Sequence, residues 1–259
     1  MICSYITWKR GNKMKAIIKL SGIETKMFFR DRLNVFWTFL FPVAMIWLFG
    51  SMFVGGEMSG LAFAEMFVPS WIGVNIVTTS FFTLGTVLAG YRETGVLRRY
   101  QSTPLQPWKI LAAHTFQGTV IFFISAMLLM VFGMLMYDLT LPDYIWSTIL
   151  GLIISILAFF PFALFVTSLA KNTQAAAAIS ALFLNLMLFL SGATFPLEFM
   201  PTVLQYAAKA LPLYYVIQLL RGTWNEAPIT DYGLEVSVLI GIGIVSVILA
   251  SRFFRWSEK

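Results

Sequence analysis

The sequence predicts an all-α membrane protein with six transmembrane helices. Both termini are expected to be cytoplasmic, with an amphipathic interfacial helix before the first span and short re-entrant helices between the last two. Three observations carry this reading. The 259 residues are 59% hydrophobic and only 12% charged, about half the charge of an ordinary soluble domain. Six stretches are apolar over the roughly 20 residues needed to cross about 30 Å of hydrocarbon. All 18 Lys and Arg residues except Lys209 and Arg221 fall on one side of the topology those stretches imply.

The spans are expected at residues 34–54, 66–90, 110–137, 146–170, 174–195 and 234–251. Backbone groups in lipid have no water to bond, so each is read as a helix. Basic residues precede the first span (Lys9, Arg10, Lys13, Lys15, Lys19, Lys26, Arg30, Arg32) and lie between the second and third (Arg92, Arg98, Arg99, Lys109). Lys171 follows the fourth span, and Arg252, Arg255 and Lys259 follow the sixth. Glu57, Glu65, Asp138, Asp143, Glu198, Glu226, Asp231 and Glu235 fall on the opposite side. Basic loops stay in the cytoplasm, and an even number of spans brings both termini there. Without a linker, a low-complexity tract or an internal repeat, residues 1–259 read as a single transmembrane domain. Met14 offers a second start, and no cleavable signal peptide is expected. The single cysteine, Cys3, excludes an intrachain disulfide and a cysteine-based metal site.

Two regions depart from an up-and-down bundle. In residues 15–32, Ala16, Leu20, Ile23 and Met27 form an apolar stripe beside a basic one of Lys15, Lys19, Lys26 and Arg30. That pattern suits a helix lying in the interface with its cations among anionic head groups. The alternative is a basic juxtamembrane segment that only fixes orientation. Residues 196–233 are long for a loop and too apolar for solvent. Pro201 and Pro212 each suit the first turn of a short helix, and the two helices are expected to dip into the outer leaflet. The alternative is a pair lying flat on the outer surface.

No catalytic set is apparent. His114 is the only histidine and has no metal-ligand partner at suitable spacing. Ser191 has no base nearby in sequence. Helices 1, 2, 4 and 5 carry no charge in their cores, which disfavours a proton- or ion-driven carrier. There is no G-x-x-x-x-G-K-[ST] loop, so energy for any work must come from another polypeptide. Neither a catalytic residue nor a metal ligand is assigned, and no nucleic-acid partner is expected.

Residues 91–107 form the most polar stretch, with Val96, Leu97 and Tyr100 on one face of a short helix that Pro104 and Pro107 end. Such a surface beyond the bilayer suits a soluble partner; the alternative is an ordinary basic loop. "RETGVLRRYQSTPL" resembles the cytoplasmic loop of ABC-2 type permeases through Arg92, Glu93, Gly95, Leu97, Arg99, Thr103, Pro104 and Leu105. A second likeness lies in Ser191-Gly192, Phe195-Pro196, Met200-Pro201, Leu211-Pro212-Leu213, Tyr215 and Leu220-Arg221-Gly222.

The resemblance implies two paired membrane subunits, alike or different, above two separate ABC ATPase subunits. ATP and Mg would sit on those partners and no cofactor on this chain. Arg92, Glu93, Thr94, Gly95, Val96, Leu97, Arg98, Arg99, Thr103 and Pro104 would form the coupling helix that contacts the ATPase, and the interfacial helix would brace it. The complex would export a drug, lipid or lipid-linked glycan through the plasma membrane. Phe195, Pro196, Pro201, Pro212, Tyr215 and Arg221 mark the re-entrant region. Asn75, Thr78, Thr79, Thr83 and Asn185 are candidates for a substrate path, weighed against ordinary helix packing. The run 175–178 of alanines reads as close packing. The competing functions are an ATP-independent channel or carrier for a lipid or small apolar solute, and an intramembrane enzyme using Ser191 or His114.

Overall fold

The computed structural model of the chain describes residues 13–55, 59–96, 107–195, 197 and 200–253. Leu97, Arg98, Arg99, Thr103, Pro104 and Pro196 lie outside the residues whose side chains are described. Six helices among the described residues are long and apolar enough to cross a membrane.

Helix α1 covers Lys13–Arg30. Asp31 then reverses the chain. Its carboxylate accepts from the backbone N–H groups of Leu33 and Asn34 at 3.1 and 3.3 Å, capping the next helix. That helix, α2, runs Arg32–Phe53, and α3 runs Gly60–Glu93. The Ser59 hydroxyl caps α3 by accepting from Ala62 N–H at 3.2 Å. Helix α4 spans Pro107–Tyr137, α5 spans Ile145–Ser168 and α6 spans Thr173–Leu190. Two short helices follow, α7 over Thr202–Ala208 and α8 over Pro212–Asn225, and then α9 over Gly233–Phe253.

Helix α3 is the axis. Buried residues make up 83% of its apolar stretch, against 17% for α6 and 22% for the last span. Gly73 lets α8 close on it: a Cβ there would lie 3.3 Å from Val216 Cγ1. Helix α8 also packs through Leu219 on Gly151 of α5. It is therefore held inside the bundle although, at 14 residues, it is only about 21 Å long.

Both α2 and α3 widen into a π-helical turn, at Phe36–Leu40 and Thr79–Gly85. Such turns disturb the carbonyl ladder, and in lipid every carbonyl needs a partner. The Thr38 carbonyl accepts from Asn75 Nδ2 at 3.1 Å and from the Ser125 hydroxyl at 2.8 Å. Asn75 Oδ1 in turn accepts from the Thr79 hydroxyl at 3.1 Å. One amide thus ties α2, α3 and α4 together at the depth of the π turns.

Candidate functional site

The polar run that opens with Tyr91 begins inside a membrane helix. Helix α3 continues through Arg92 and Glu93 and stops at Gly95, whose φ of 70° lies in the left-handed region. Thr94 N–H donates to Gly90 O at 2.9 Å and Gly95 N–H to Arg92 O at 3.2 Å. This is a glycine-terminated helix end.

Arg92 and Glu93 take opposite partners there. Arg92 is only 8% exposed. Its Nη1 donates to Ser168 O at 3.2 Å and its Nη2 to Ala170 O, at the C-terminal end of α5. Exposed Glu93 accepts from the backbone N–H of Thr173 at 2.7 Å and from its hydroxyl, at the first residue of α6. A helix is partly negative at its C-terminus and partly positive at its N-terminus, so each side chain meets the helix end that suits its charge. Asn172 completes the start of α6 by accepting from Ala175 N–H at 2.8 Å. Ala89, Ala170 and Ala176 pack together beneath, small enough for the backbones to approach. The result is a two-residue clamp holding the α5–α6 turn against the last turn of α3. Both Nη groups of Arg92 are occupied within the chain, whereas Glu93 and Thr94 are exposed and Val96 is half-buried.

Helix α1 sits beside this clamp. Lys15 and Lys19 belong to its first turns, and Lys26 and Arg30 are exposed. Ile23 and Met27 of the expected apolar stripe are exposed too, at 52% and 54%. The face turned to the bundle carries Ser21 and Glu24, with Phe28 packed on Phe39 and Ile121 a turn further on. The Ser21 hydroxyl donates to Ala113 O at 2.9 Å. Glu24, 6% exposed, accepts from the Tyr91 hydroxyl at 2.8 Å. His114 Nε2 lies 3.9 Å from Glu24 Oε1, and its ring meets Tyr91 edge-on.

Two cavities adjoin. One, of about 530 Å³, opens between α1, the end of α3 and α4. The other, of about 280 Å³, lies between α2, α3 and α6. Asn34 and Thr83 line both. Three path candidates, Thr78, Thr83 and Asn185, line the second cavity with Trp37 and Trp71. Asn75 and Thr79 do not; they belong to the network that joins α2, α3 and α4. The exposed face of α6 is apolar at Leu182, Leu186 and Phe189, with the Asn185 amide among them donating to Ala181 O at 2.8 Å.

Residues 16–224 match the family model described as ABC-2 type transporter. The chain belongs to the ABC-2 type transporter family. The putative transport permease YvfS of Bacillus subtilis is 25% identical over 82% of this chain and 90% of its own length. A Nodulation protein J of Sinorhizobium fredii is 27% identical over 78% of this chain and 79% of its own. One from Rhizobium meliloti is 32% identical over a shorter stretch, 38% of each chain. As an ABC-2 permease the chain is a membrane transport component of the bacterial inner membrane, in a family that associates with ABC ATPase partners.

In this ABC-2 chain the segment between α6 and α9 is tied down by Arg221. Its Nε donates to Met66 O at 3.0 Å and to the Ser70 hydroxyl at 2.6 Å, and its Nη2 to Gly192 O at 2.9 Å. Gly192 has a φ of 86°, a turn that favours glycine. Pro201 precedes α7 and Pro212 opens α8. The Tyr215 hydroxyl donates to Lys209 O at 2.8 Å, closing the end of α7. The Phe195 ring meets Phe49 of α2 edge-on at 6.1 Å. Ser191 is fully buried at this end of the bundle, while His114 lies beside Glu24 at the other. The two do not form a nucleophile and base pair.

The clamp and the polar face of α1 are not visible in the sequence alone. A local signal exists for half of each: Asn172-Thr173 is a helix start, and Glu24 is an acid within a basic segment. What they pair with lies 67 to 80 residues away, beyond the reach of local pattern.

Proposed function

We propose that the chain is the membrane half of an ATP-driven exporter, two permeases pairing above two separate ABC ATPase subunits. The transported molecule is a drug, lipid or lipid-linked glycan, moved outward. The basic end of the bundle faces the cytoplasm by the bias of its Lys and Arg residues. The observation that carries the reading is the Arg92–Glu93 clamp. A displacement of the segment that follows Gly95 moves the end of α3, and the clamp passes it to α5 and α6 together. Helices α3 and α6 wall the 280 Å³ cavity, so motion at the basic end changes the shape of a space inside the membrane. ATP closure of the partner ATPases would supply that motion. An amide on an apolar lipid-facing stripe is costly, which supports a second permease, and with it the substrate, against the Asn185 face of α6. The burial of α8 supports re-entry of that segment rather than a surface helix.

The test is extraction of the tagged protein from its native membrane in mild detergent, with co-purifying chains identified by mass spectrometry. The expected result is a stoichiometric soluble chain carrying G-x-x-x-x-G-K-[ST], lost when residues 92–99 are scrambled. Recovery of the permease alone, where a control ABC complex stays intact, would instead favour the ATP-independent channel or carrier. Solute flux in liposomes from the purified chain alone would then establish it.

A further inference from the structure

A cavity of about 250 Å³ lies between α3, α4, α5 and α8, at the end of the bundle opposite the clamp. No titratable group among the described residues lines it. Its one hydroxyl is engaged, since Thr148 donates to Thr223 O at 3.0 Å. The Trp224 indole N–H is the remaining polar group and has no partner among the described residues. A lone donor disfavours a cation and suits an uncharged ester.

The two sides of the cavity differ. Ile72 of α3 and Leu220 of α8, 2% and 1% exposed, belong to its inner wall with Trp224. Phe123 and Met127 of α4, Leu141 of the turn that follows and Ile145 at the start of α5 also line it, and these four are exposed. All but Leu141 belong to membrane spans, so the cavity opens towards hydrocarbon. The Trp224 carbonyl accepts from Asp143 N–H at 2.9 Å, which holds that end of α8 beside the turn between α4 and α5. Trp146 is exposed there too, as tryptophans are at the membrane–water boundary. From Ile145 the lining runs inward to Leu152, about 10 Å along α5. One leaflet's share of the hydrocarbon is about 15 Å, so the cavity reaches through most of one leaflet. Helix packing leaves few voids larger than a water molecule, and an apolar one of this size is costly to leave empty.

We infer that this cavity holds one acyl chain of a membrane phospholipid, which enters between α4 and α5 and leaves its head group outside. The bilayer presents such chains at the mouth at all times. A helix of a second permease, about 10 Å across even without long side chains, is too wide for a space of this volume and length. The chain replaces the packing that α4, α5 and α8 do not supply to one another, and so supports the end of α8 that carries Leu220 and Trp224. The site rests on the membrane spans and not on the export reading.

The experiment is photolabelling of the full-length chain, with any accompanying ATPase, in nanodiscs containing phosphatidylglycerol with a diazirine midway along one acyl chain. Labelled residues are mapped by peptide mass spectrometry. Label is expected on Ile72 and Leu220 as well as on exposed Met127. Ile46 and Phe63, which are as deeply buried but do not line this cavity, should stay unlabelled. Ala126→Phe fills the space from α4. It should cut the label on Ile72 and Leu220 several-fold and leave that on exposed Val245 and Ile248 of α9 unchanged. Ile149→Phe fills the same space from α5 and decides the matter if Ala126→Phe does not fold. Label confined to exposed residues in the wild type overturns the inference, whether the cavity is then empty or filled by protein. So does label on Ile72 and Leu220 that persists in a folded filling variant, or equal label on Ile46 and Phe63.

Discussion

Replacing Arg92 with methionine isolates the clamp. The methionine keeps a long, flexible apolar stem and removes the guanidinium. Two carbonyls at the end of α5, those of Ser168 and Ala170, then lose their donors. Hydrogen bonds to a charged group contribute about 1.5–3 kcal/mol each. Against this, the variant no longer desolvates a buried cation, which offsets part of the loss. The site lies at the end of the span, where water is near, so the offset is the smaller effect. A net loss of about 2–4 kcal/mol follows, read as a fall in melting temperature on the order of 5–10 °C. Arg92→Lys places one point charge where a fork stood and should lose about half as much.

Stability alone would not distinguish the clamp from general packing, so the second readout is local. Hydrogen exchange in detergent should speed up over residues 166–176 in Arg92→Met, because the α5–α6 turn is released. Exchange in α8, which meets α3 and α5 at Gly73 and Gly151, well away from the clamp, should stay as in wild type. An unchanged melting temperature, or exchange that rises evenly over the molecule, would refute the clamp.

Gly95 is needed for its left-handed conformation: Gly95→Asn should be nearly neutral, Gly95→Ala should cost about 1 kcal/mol, and Gly95→Pro should uncouple ATP hydrolysis from transport, measured as ATPase rate against substrate efflux. At Gly50 a Cβ would fall 1.9 Å from the Tyr137 hydroxyl, so Gly50→Ala should lower thermal stability by about 1–3 kcal/mol, and Tyr137→Ala in the same chain should cost less than the sum of the two changes. Asn75→Leu should destabilise the fold by about 1–2 kcal/mol in thermal unfolding, since it breaks the network joining α2, α3 and α4. Asn185→Leu and Thr83→Val should leave the melting temperature unchanged and alter transport rate or selectivity.

The membrane helices are legible because lipid imposes a length and a composition on any segment that crosses it. Hydropathy puts the second span at residues 66–90; the helix runs Gly60–Glu93. The extra turn at its far end holds Tyr91, Arg92 and Glu93, whose polarity argues for a loop but whose partners are helix ends. Hydropathy counts a buried arginine as an exposed one. The π turns are not legible either, because Phe36–Leu40 and Thr79–Gly85 have the composition of ordinary α-helix. Asn75 stands out as a polar group needing a partner, but nothing local assigns it to Thr38 and Ser125, which lie 37 and 50 residues away.

Helix α1 shows why part of the site stays hidden. Ile23 and Met27 do form an apolar stripe, and in a soluble protein such a stripe faces the core. Here it faces outward, exposed beside Lys26 and Arg30, while Ser21 and Glu24 face the bundle. If α1 lies at the bilayer edge, the reading proposed for it, the apolar surroundings lie outside the protein and the hydrophobic effect would hold the stripe towards lipid. The inward face is then free to carry polar groups, provided each finds a partner. Ser21 finds one in Ala113 O and Glu24 finds one in Tyr91, the residue just before the clamp. On the interfacial reading proposed for α1, the same inversion also joins it to the end of α3, and a movement of that end would reach α1 as well as α5 and α6.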